Sequence, residues 1–547
     1  MFHPSLRMAL AALERPATLD DWLCLVQGMR VETGFWWLDS ALPDARLGRY
    51  SFAGADPYLC LEARRDEIHL DVRRAVWRGL ERAPKKFEGD PFEVARSLLP
   101  RTDSLVYSTR SESRLASTPE ATGETNFISS VPSAGPSHEP QWHEAAGLAE
   151  GLELPFLGGA VGYFGYELAS RLEPGLDFGN ADDLGLPDLS LSFVDQLLAF
   201  DHESERLWII GLGFGESRRP ADGDARELSV SRSRDLVDAL SIRVDQILAN
   251  RSQIPEMGSS SSKRRVSHSH TSTVDASGYA KAVDTILEEI ESGNVYQANY
   301  SQRLTVDADL DPWTLYQALR KHNAAPFGAY LKVGESAILS SSPERFLQLD
   351  ESRHVESRPI KGTRPRGRDE AEDALLRHEL AESPKDRAEN LMIVDLVRND
   401  LGRVCAPASI SVPELMTIEA YAEVFQMVST VTGSLASGRD GFDLLRATFP
   451  PGSMTGAPKI AAIGLLERLE KVRRGIYAGA LGYLDLRGGL DLSVVIRTIV
   501  WRDGRAHLHV GGGIVADSTP EGEYLESLDK AKAPLAALDE VLDSGET

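Results

Sequence analysis

Short apolar runs broken by Gly and Pro dominate residues 15–210, and such punctuation admits β-strands and turns but few long helices. GRYSFAGADPYLCLEA (48–63), LGGAVGYFGYEL (157–168) and ERLWIIGLGF (205–214) are the clearest cases. The richest stretch, LPFLGGAVGYFGYELA (154–169), is Gly-interrupted and carries Glu167, so it reads as buried strand. No run approaches the roughly 18 apolar residues a membrane span needs. Residues 224–250 then change to helical spacing. An amphipathic helix opens a second lobe at about residue 275: Tyr279, Val283, Leu287 and Ile290 share one face, and Gly293 ends it. Strand-like runs alternate with helices from there to residue 535.

Two stretches interrupt this pattern. Residues 103–147 are rich in Ser, Thr, Pro, Gly and Glu without periodicity, and are expected to be a disordered insertion. Residues 251–275 read as a linker; their Lys-Arg-Arg triplet and the pair His268 and His270 are expected to be solvated, not a recognition patch or a metal tract. The last 12 residues read as an acidic frayed tail. The expected organisation is an N-terminal lobe over 15–210, a connecting segment over 211–275 and a catalytic lobe over 276–535.

With 83 acidic and 59 basic side chains the formal net charge is −24. Such a field excludes nucleic acid or an anionic membrane as a partner bound through overall charge. An anionic substrate would need positive charge concentrated locally. The three cysteines, Cys24, Cys60 and Cys405, are far apart and odd in number, which argues against a disulfide framework and for a reducing compartment. The N-terminal residues lack the apolar core of a signal peptide, so a cytoplasmic protein is expected.

Local positive charge is found in SRPIKGTRPRGR (357–368), where Arg358, Lys361, Arg364, Arg366 and Arg368 occur with no acid among them. Gly362 and Gly367 nearly spell a P-loop, but Gly-Arg-Asp stands where Gly-Lys-Ser/Thr is needed. The remaining readings are a solvated basic loop or an anion-binding loop whose lysine acts as nucleophile. Two helical segments each carry an acid pair three apart: Asp386 and Glu389 in 385–399, and Glu523 and Glu526, followed by Lys530, in 520–533. Acid pairs are common on solvated faces, but two converging helices could hold one divalent cation, and carboxylates without His or Cys suit Mg²⁺. Glycine turns at 449–458 and 511–513 would bare backbone N–H groups near helix starts, and Arg497 is expected inside an apolar strand (491–500). The chain has no G-x-S-x-G and no H-E-x-x-H, which disfavours serine and zinc hydrolysis.

In this order the segments YQANYSQR (296–303), SSPERFL (341–347), RPIKGTRPRG (358–367), DRAENLMIVDLVRNDLGRVC (386–405), FPPGSMTGAPK (449–459), GALGYLDL (479–486), VIRT (495–498) and GGGIVADSTPEGEYLESLDKA (511–531) resemble the chorismate-utilising enzymes, the family of anthranilate synthase component I. The resemblance runs from Gly278 to Lys532 and is weaker in the first lobe, through LDSA (38–41) and GRYSFAGADP (48–57). It implies an α+β fold: two interleaved lobes around a β-sandwich core flanked by helices. Lys361, where anthranilate, isochorismate and salicylate synthases typically have alanine, looks like the aminodeoxychorismate synthases; Gln297, where water-adding members have lysine, agrees.

The resemblance implies that chorismate and ammonia give 4-amino-4-deoxychorismate, toward p-aminobenzoate and folate. Lys361 would be the nucleophile, Glu344 the general acid, and Glu389 and Glu526 the ligands of Mg²⁺. Arg497, Gly511, Gly512, Gly513, Thr455, Tyr483, Lys530, Gln297 and Thr363 would contact substrate. Asp39, Ser40, Tyr50 and Ser51 correspond to a tryptophan pocket in relatives, with Asp39 where glutamate is usual. Gln426 replaces a histidine of anthranilate-type enzymes. No G-x-C-x-G elbow is present, so ammonia would come free or from a separate glutamine amidotransferase subunit. The alternatives are anthranilate synthase component I and a catalytically silent tryptophan-binding subunit.

Overall fold

The computed structural model describes residues 6–42, 46–99, 105–111, 143–146, 154–216, 223–254, 269–421 and 424–544. Among them two large sheets form, of 14 and 12 strands. Period-2 alternation explains how the sheets pack. On strand Leu6–Pro16, Leu10 and Ala12 join the cluster between the sheets, while Ala11 and Leu13 face helices on the outer side. Trp36 and Trp37 divide in the same way. The inner cluster takes Val161, Leu481 and Tyr483 from one sheet and Leu197, Ile210 and Ile338 from the other. Outer clusters bury Trp22, Val237, Trp313 and Leu538 against the large sheet, and Phe92, Val397 and Leu445 against the smaller one. This is the expected β-sandwich flanked by helices.

The lobes interleave within each sheet. Strand Trp36–Asp39 pairs with Phe327–Val333 in the large sheet, and Gly159–Phe164 pairs with Ala480–Asp485 in the smaller one. Gly159 makes the second pairing possible: it has φ +131°, and a Cβ there would meet the Leu484 carbonyl oxygen at 2.2 Å.

Several expectations change. Within 103–147, Leu105–Ser111 pairs in parallel with Leu6–Pro16, and His143–Ala146 pairs with Leu105–Ser111; residues 112–142 lie outside the described residues. The apolar neighbour strand supplies a burial that the segment's own composition does not advertise. The expected acidic tail is instead the last turns of helix Pro520–Ser544 up to residue 544, where Leu538 and Val541 are buried and Glu540 pairs with Lys321 at 3.0 Å. In the expected linker, residues 255–268 with the Lys-Arg-Arg triplet and His268 lie outside the described residues, and His270 is exposed. No described helix is long and apolar enough to cross a membrane.

Candidate active site

A cavity of about 790 Å³ opens where strand Ile360–Pro365 of the smaller sheet faces strands Gln297–Asp307 and Arg505–Ile514 of the larger. Helices Pro384–Gly402 and Pro520–Ser544 complete its wall. The basic segment is a strand here, not a loop. Ile360 pairs with Val428 and Thr363 with Gln426, so Lys361 and Gly362 together oppose the single residue Met427. That one-residue bulge re-aims the backbone. Gly362 has φ +86°, and a Cβ there would press on Asp386 at 2.9 Å.

The other charges of the segment are spent on neighbours. Arg358 is buried against Glu414, Glu419 and Thr430; Arg364 pairs with Asp386 at 2.9 Å, Arg366 with Asp373 at 2.7 Å and Arg368 with Glu372 at 2.8 Å. Lys361 makes no such ion pair among the described residues; its ammonium donates to the Ser453 carbonyl at 3.5 Å inside the cavity. Glu344 faces the same space and is 5% exposed. Burial pushes its carboxyl up to about 7, against the pull of the Ser453 hydroxyl and the Lys361 charge. A group poised there can donate a proton near neutrality.

The two acid helices do converge. Lys385 lies 3.4 Å from Glu523 and 4.0 Å from Glu389, and Glu526 pairs with Lys530 at 2.9 Å. Burial holds the Glu389 carboxyl above its ordinary value despite Lys361 and Lys385. Burial would raise Glu526 as well, but Lys530, Lys385 and Lys361 together outweigh it and hold that carboxyl low. Glu523 donates no charge to solvent: Oε1 accepts from the Ser518 hydroxyl at 2.6 Å, and Oε2 is buried without a partner. A Cβ on Gly512 would lie 2.8 Å from that Oε2 and 3.6 Å from Glu526 Oε1, so the glycine keeps a space between carboxylates. An all-oxygen set with an orphaned buried oxygen fits Mg²⁺, which keeps waters. Among the described residues no group of three or more His, Cys, Asp or Glu side chains is placed to hold a metal ion, so a cation here would rest on two carboxylates, water and substrate oxygens.

Arg497 departs from expectation. It lies between strands Leu490–Val494 and Thr498–Arg502 with φ +51°, not within a strand. The turn delivers its guanidinium to the cavity, where burial lowers its proton affinity. Tyr477 and His509 stack beside it, with ring centroids 5.1 Å apart.

Residues 100–536 match the family model for chorismate binding enzymes. The chain belongs to that family. The aminodeoxychorismate synthase of Streptomyces pristinaespiralis is 43% identical over 399 residues, which is 72% of this chain but only 53% of that protein; the chain thus spans about half its length. Aminodeoxychorismate synthase component 1 of Salmonella typhimurium is 40% identical over 387 residues, 71% of this chain and 78% of that protein. The crystal structure of anthranilate synthase component I from Streptococcus pneumoniae superposes with a TM-score of 0.67 at 25% identity, covering 90% of this chain and 94% of that one.

As a chorismate binding enzyme, the chain gathers Lys361, Glu344, Glu389, Glu526, Arg497, Lys530, Thr363, Gly511, Gly513 and Gln426 at one cavity. Others fall elsewhere. Gly511–Gly513 lie inside strand Arg505–Ile514, opposite Ser301, Tyr300 and Asn299, and not in a turn before the helix. Gly512 backs the carboxylates from behind. Thr455 is fully buried and its hydroxyl donates to the Gly452 carbonyl at 3.2 Å, so it closes its own turn and does not line the wall. Gln297 is fully buried under Gly513, with neither amide atom bonded. Tyr483 belongs to a second cavity of about 230 Å³, stacked on Phe156 at 4.6 Å. Asp39, Ser40 and Tyr50 line that second cavity; Ser51 lies behind it, bonded to the Ser40 amide at 3.0 Å and to His202 at 2.8 Å. Arg320 at 2.6 Å already neutralises Asp39. Sequence reasoning missed Asn299, Tyr477 and His509, which also line the catalytic cavity. An aromatic or imidazole beside a glycine-rich strand was the available signal.

Proposed function

We propose that this chain is an aminodeoxychorismate synthase component I, which aminates chorismate at C4. The observation that carries the reading is Lys361, delivered by a bulge into a cavity it shares with Glu344, while its segment's other charges are paired elsewhere. A lysine amine bonds C2 of the ring, the conjugated diene shifts, and the C4–O bond breaks; Glu344 supplies the proton with which that oxygen leaves as water. Ammonia then bonds C4, the diene shifts back, and the C2–N bond to Lys361 breaks. Lysine serves both as nucleophile and as leaving group, which alanine at this position could not do.

Arg497, beside Tyr477 and His509, binds a carboxylate of the substrate, since it is a half-buried cation with no acid within ion-pair reach among the described residues. Gly511 and Gly513 keep the wall flat enough for a ring: a Cβ on Gly513 would stand 2.3 Å from the Gln297 amide nitrogen and 3.3 Å from Lys361 Nζ. Gln297 offers no general base to activate water. Glu389 and Glu526, with Glu523 beside them, would hold Mg²⁺, which when bound neutralises a substrate carboxylate and draws electron density from the ring. Ammonia comes free or from a separate amidotransferase subunit. Purified protein given chorismate, Mg²⁺ and ammonium should form aminodeoxychorismate, released as p-aminobenzoate once a lyase is added. Anthranilate as the product would overturn the reading and favour the anthranilate synthase alternative, which the Streptococcus pneumoniae likeness over 90% of the chain supports.

A further inference from the structure

Asn299, Met454 and Tyr477 reach the catalytic cavity from remote parts of the chain, and one buried side chain bonds to the segments of all three. Arg474 does not itself line the cavity, and its side chain is 1% exposed. Its Nε and Nη2 grip the Glu470 carboxylate at 2.8 and 2.7 Å. Nη1 donates to the Met454 carbonyl at 2.8 Å, and Nη2 donates to the Asn299 carbonyl at 2.6 Å. Glu470 also accepts from the Ser301 amide at 3.0 Å and from the Ser301 hydroxyl at 2.8 Å. The Arg474 carbonyl starts the turn to Tyr477, whose amide donates to it at 3.2 Å. The guanidinium lies over the Tyr477 and Tyr166 rings, 5.8 and 4.5 Å from their centroids. The first lobe holds this turn in place: Glu167 accepts from the Arg474 amide at 2.8 Å, and the Tyr166 amide donates to the Gly475 carbonyl at 2.8 Å.

We infer that Arg474 is a positioning residue for the reaction: it ties the Met454 turn, the Asn299 strand and the Tyr477 turn into one fixed arrangement around the substrate. A buried ion pair adds little net stability, because desolvation offsets the attraction. What the planar fork adds is direction, since its N–H groups reach a carboxylate and two carbonyls at fixed angles. An ammonium on a flexible stem can neutralise Glu470 but cannot hold that geometry. Met454 follows Ser453, whose carbonyl accepts from Lys361 at 3.5 Å, so the tie also bears on where the amine stands. The kinetic consequence rests on the reaction proposed above; the tie itself does not.

Arg474→Lys, which keeps the charge and loses the fork, tests this in two ways. In the substrate-free protein, hydrogen exchange read by mass spectrometry should show the peptides carrying the Asn299, Thr455 and Tyr477 amides exchanging together about tenfold faster, with strand Phe327–Val333 unchanged. In turnover, kcat should fall about 10²-fold while KM for chorismate stays within about threefold, as a misplacement near 1 Å would give. Arg474→Gln combined with Glu470→Gln leaves no charge buried alone; it should show the same two effects and serves if the lysine variant does not fold. Protection lost only beside residue 474, or equally along the whole chain, overturns the tie, as does a kcat within threefold of the unaltered protein. If the unaltered protein makes no aminodeoxychorismate while the three segments still lose protection together, the tie stands and the proposed reaction fails.

Discussion

Lys361 reaches the cavity because its strand holds one residue more than the neighbour it pairs with. Lys361→Ala should therefore cost at least about 10³-fold in kcat while calorimetry still finds chorismate bound, because Arg497 remains; an unchanged rate would remove the covalent route. Glu344 and Lys361 together must lose one proton before the lysine can attack. The acid limb of kcat/KM should rise through about pH 7, and Glu344→Gln should abolish that limb along with most activity, as a pH–rate profile would show. Both residues were legible in sequence, because SSPERF and PIKGT are short local signatures. Ser453 was visible only as part of a glycine turn, since the Lys361 ammonium its carbonyl accepts from is remote in sequence. Thr455 and Tyr483 were misplaced for a physical reason: a small hydroxyl can satisfy its own turn, and the face a strand aromatic takes is set by long-range register, which here turns Tyr483 to Phe156 in the second cavity.

Strand Arg505–Ile514 shows what a glycine run can mean besides a turn. Glycine weakens strands, so three in succession read as a loop unless something must approach closely. Here Gln297 and Lys361 approach on one side of Gly513 and the carboxylates crowd Gly512. Gly513→Ala should raise KM for chorismate or lower kcat by at least tenfold, and the clash with buried Gln297 should lower the melting temperature as well; a full-activity variant would contradict the close fit. The strand Gly159–Phe164 and the turn after it carry Glu167, which is buried, bonded to the Arg474 and Gly475 amides at 2.8 and 3.3 Å, and pushed up to about 8 by burial. Its folded form holds a proton that the unfolded chain, near 4.5, has lost. The stabilisation is complete below about pH 4.5 and disappears as pH rises through about 8. Glu167→Gln should flatten that dependence by on the order of 3 kcal/mol between pH 5 and 8, measured by denaturant unfolding; an unaltered slope would argue that another group sets it. The buried strand around this acid was legible from its apolar run. The strands at 105–111 and 143–146 were not, because the first is set by its pairing with Leu6–Pro16 and the second by its pairing with the first, not by their own pattern.

Across the whole molecule, a chain of net charge −24 places in one cavity a lysine with no ion pair among the described residues and a half-buried arginine, and neutralises the other cations of the basic segment against its own acids. The excess acid is therefore no guide to the ligand; two of the acids, Glu389 and Glu526, are the ligands proposed above for a divalent cation. A chelator should abolish turnover and added Mg²⁺ should restore it, whereas Glu526→Ala should need far higher Mg²⁺ for the same rate; an indifferent enzyme would refute that role. The interleaving of lobes was legible only through family resemblance, because long-range strand pairing leaves no local mark. The most direct test is product identification by chromatography and mass spectrometry after incubation with chorismate, Mg²⁺ and ammonium. The account predicts 4-amino-4-deoxychorismate, lost in Lys361→Ala; anthranilate with release of pyruvate would contradict it.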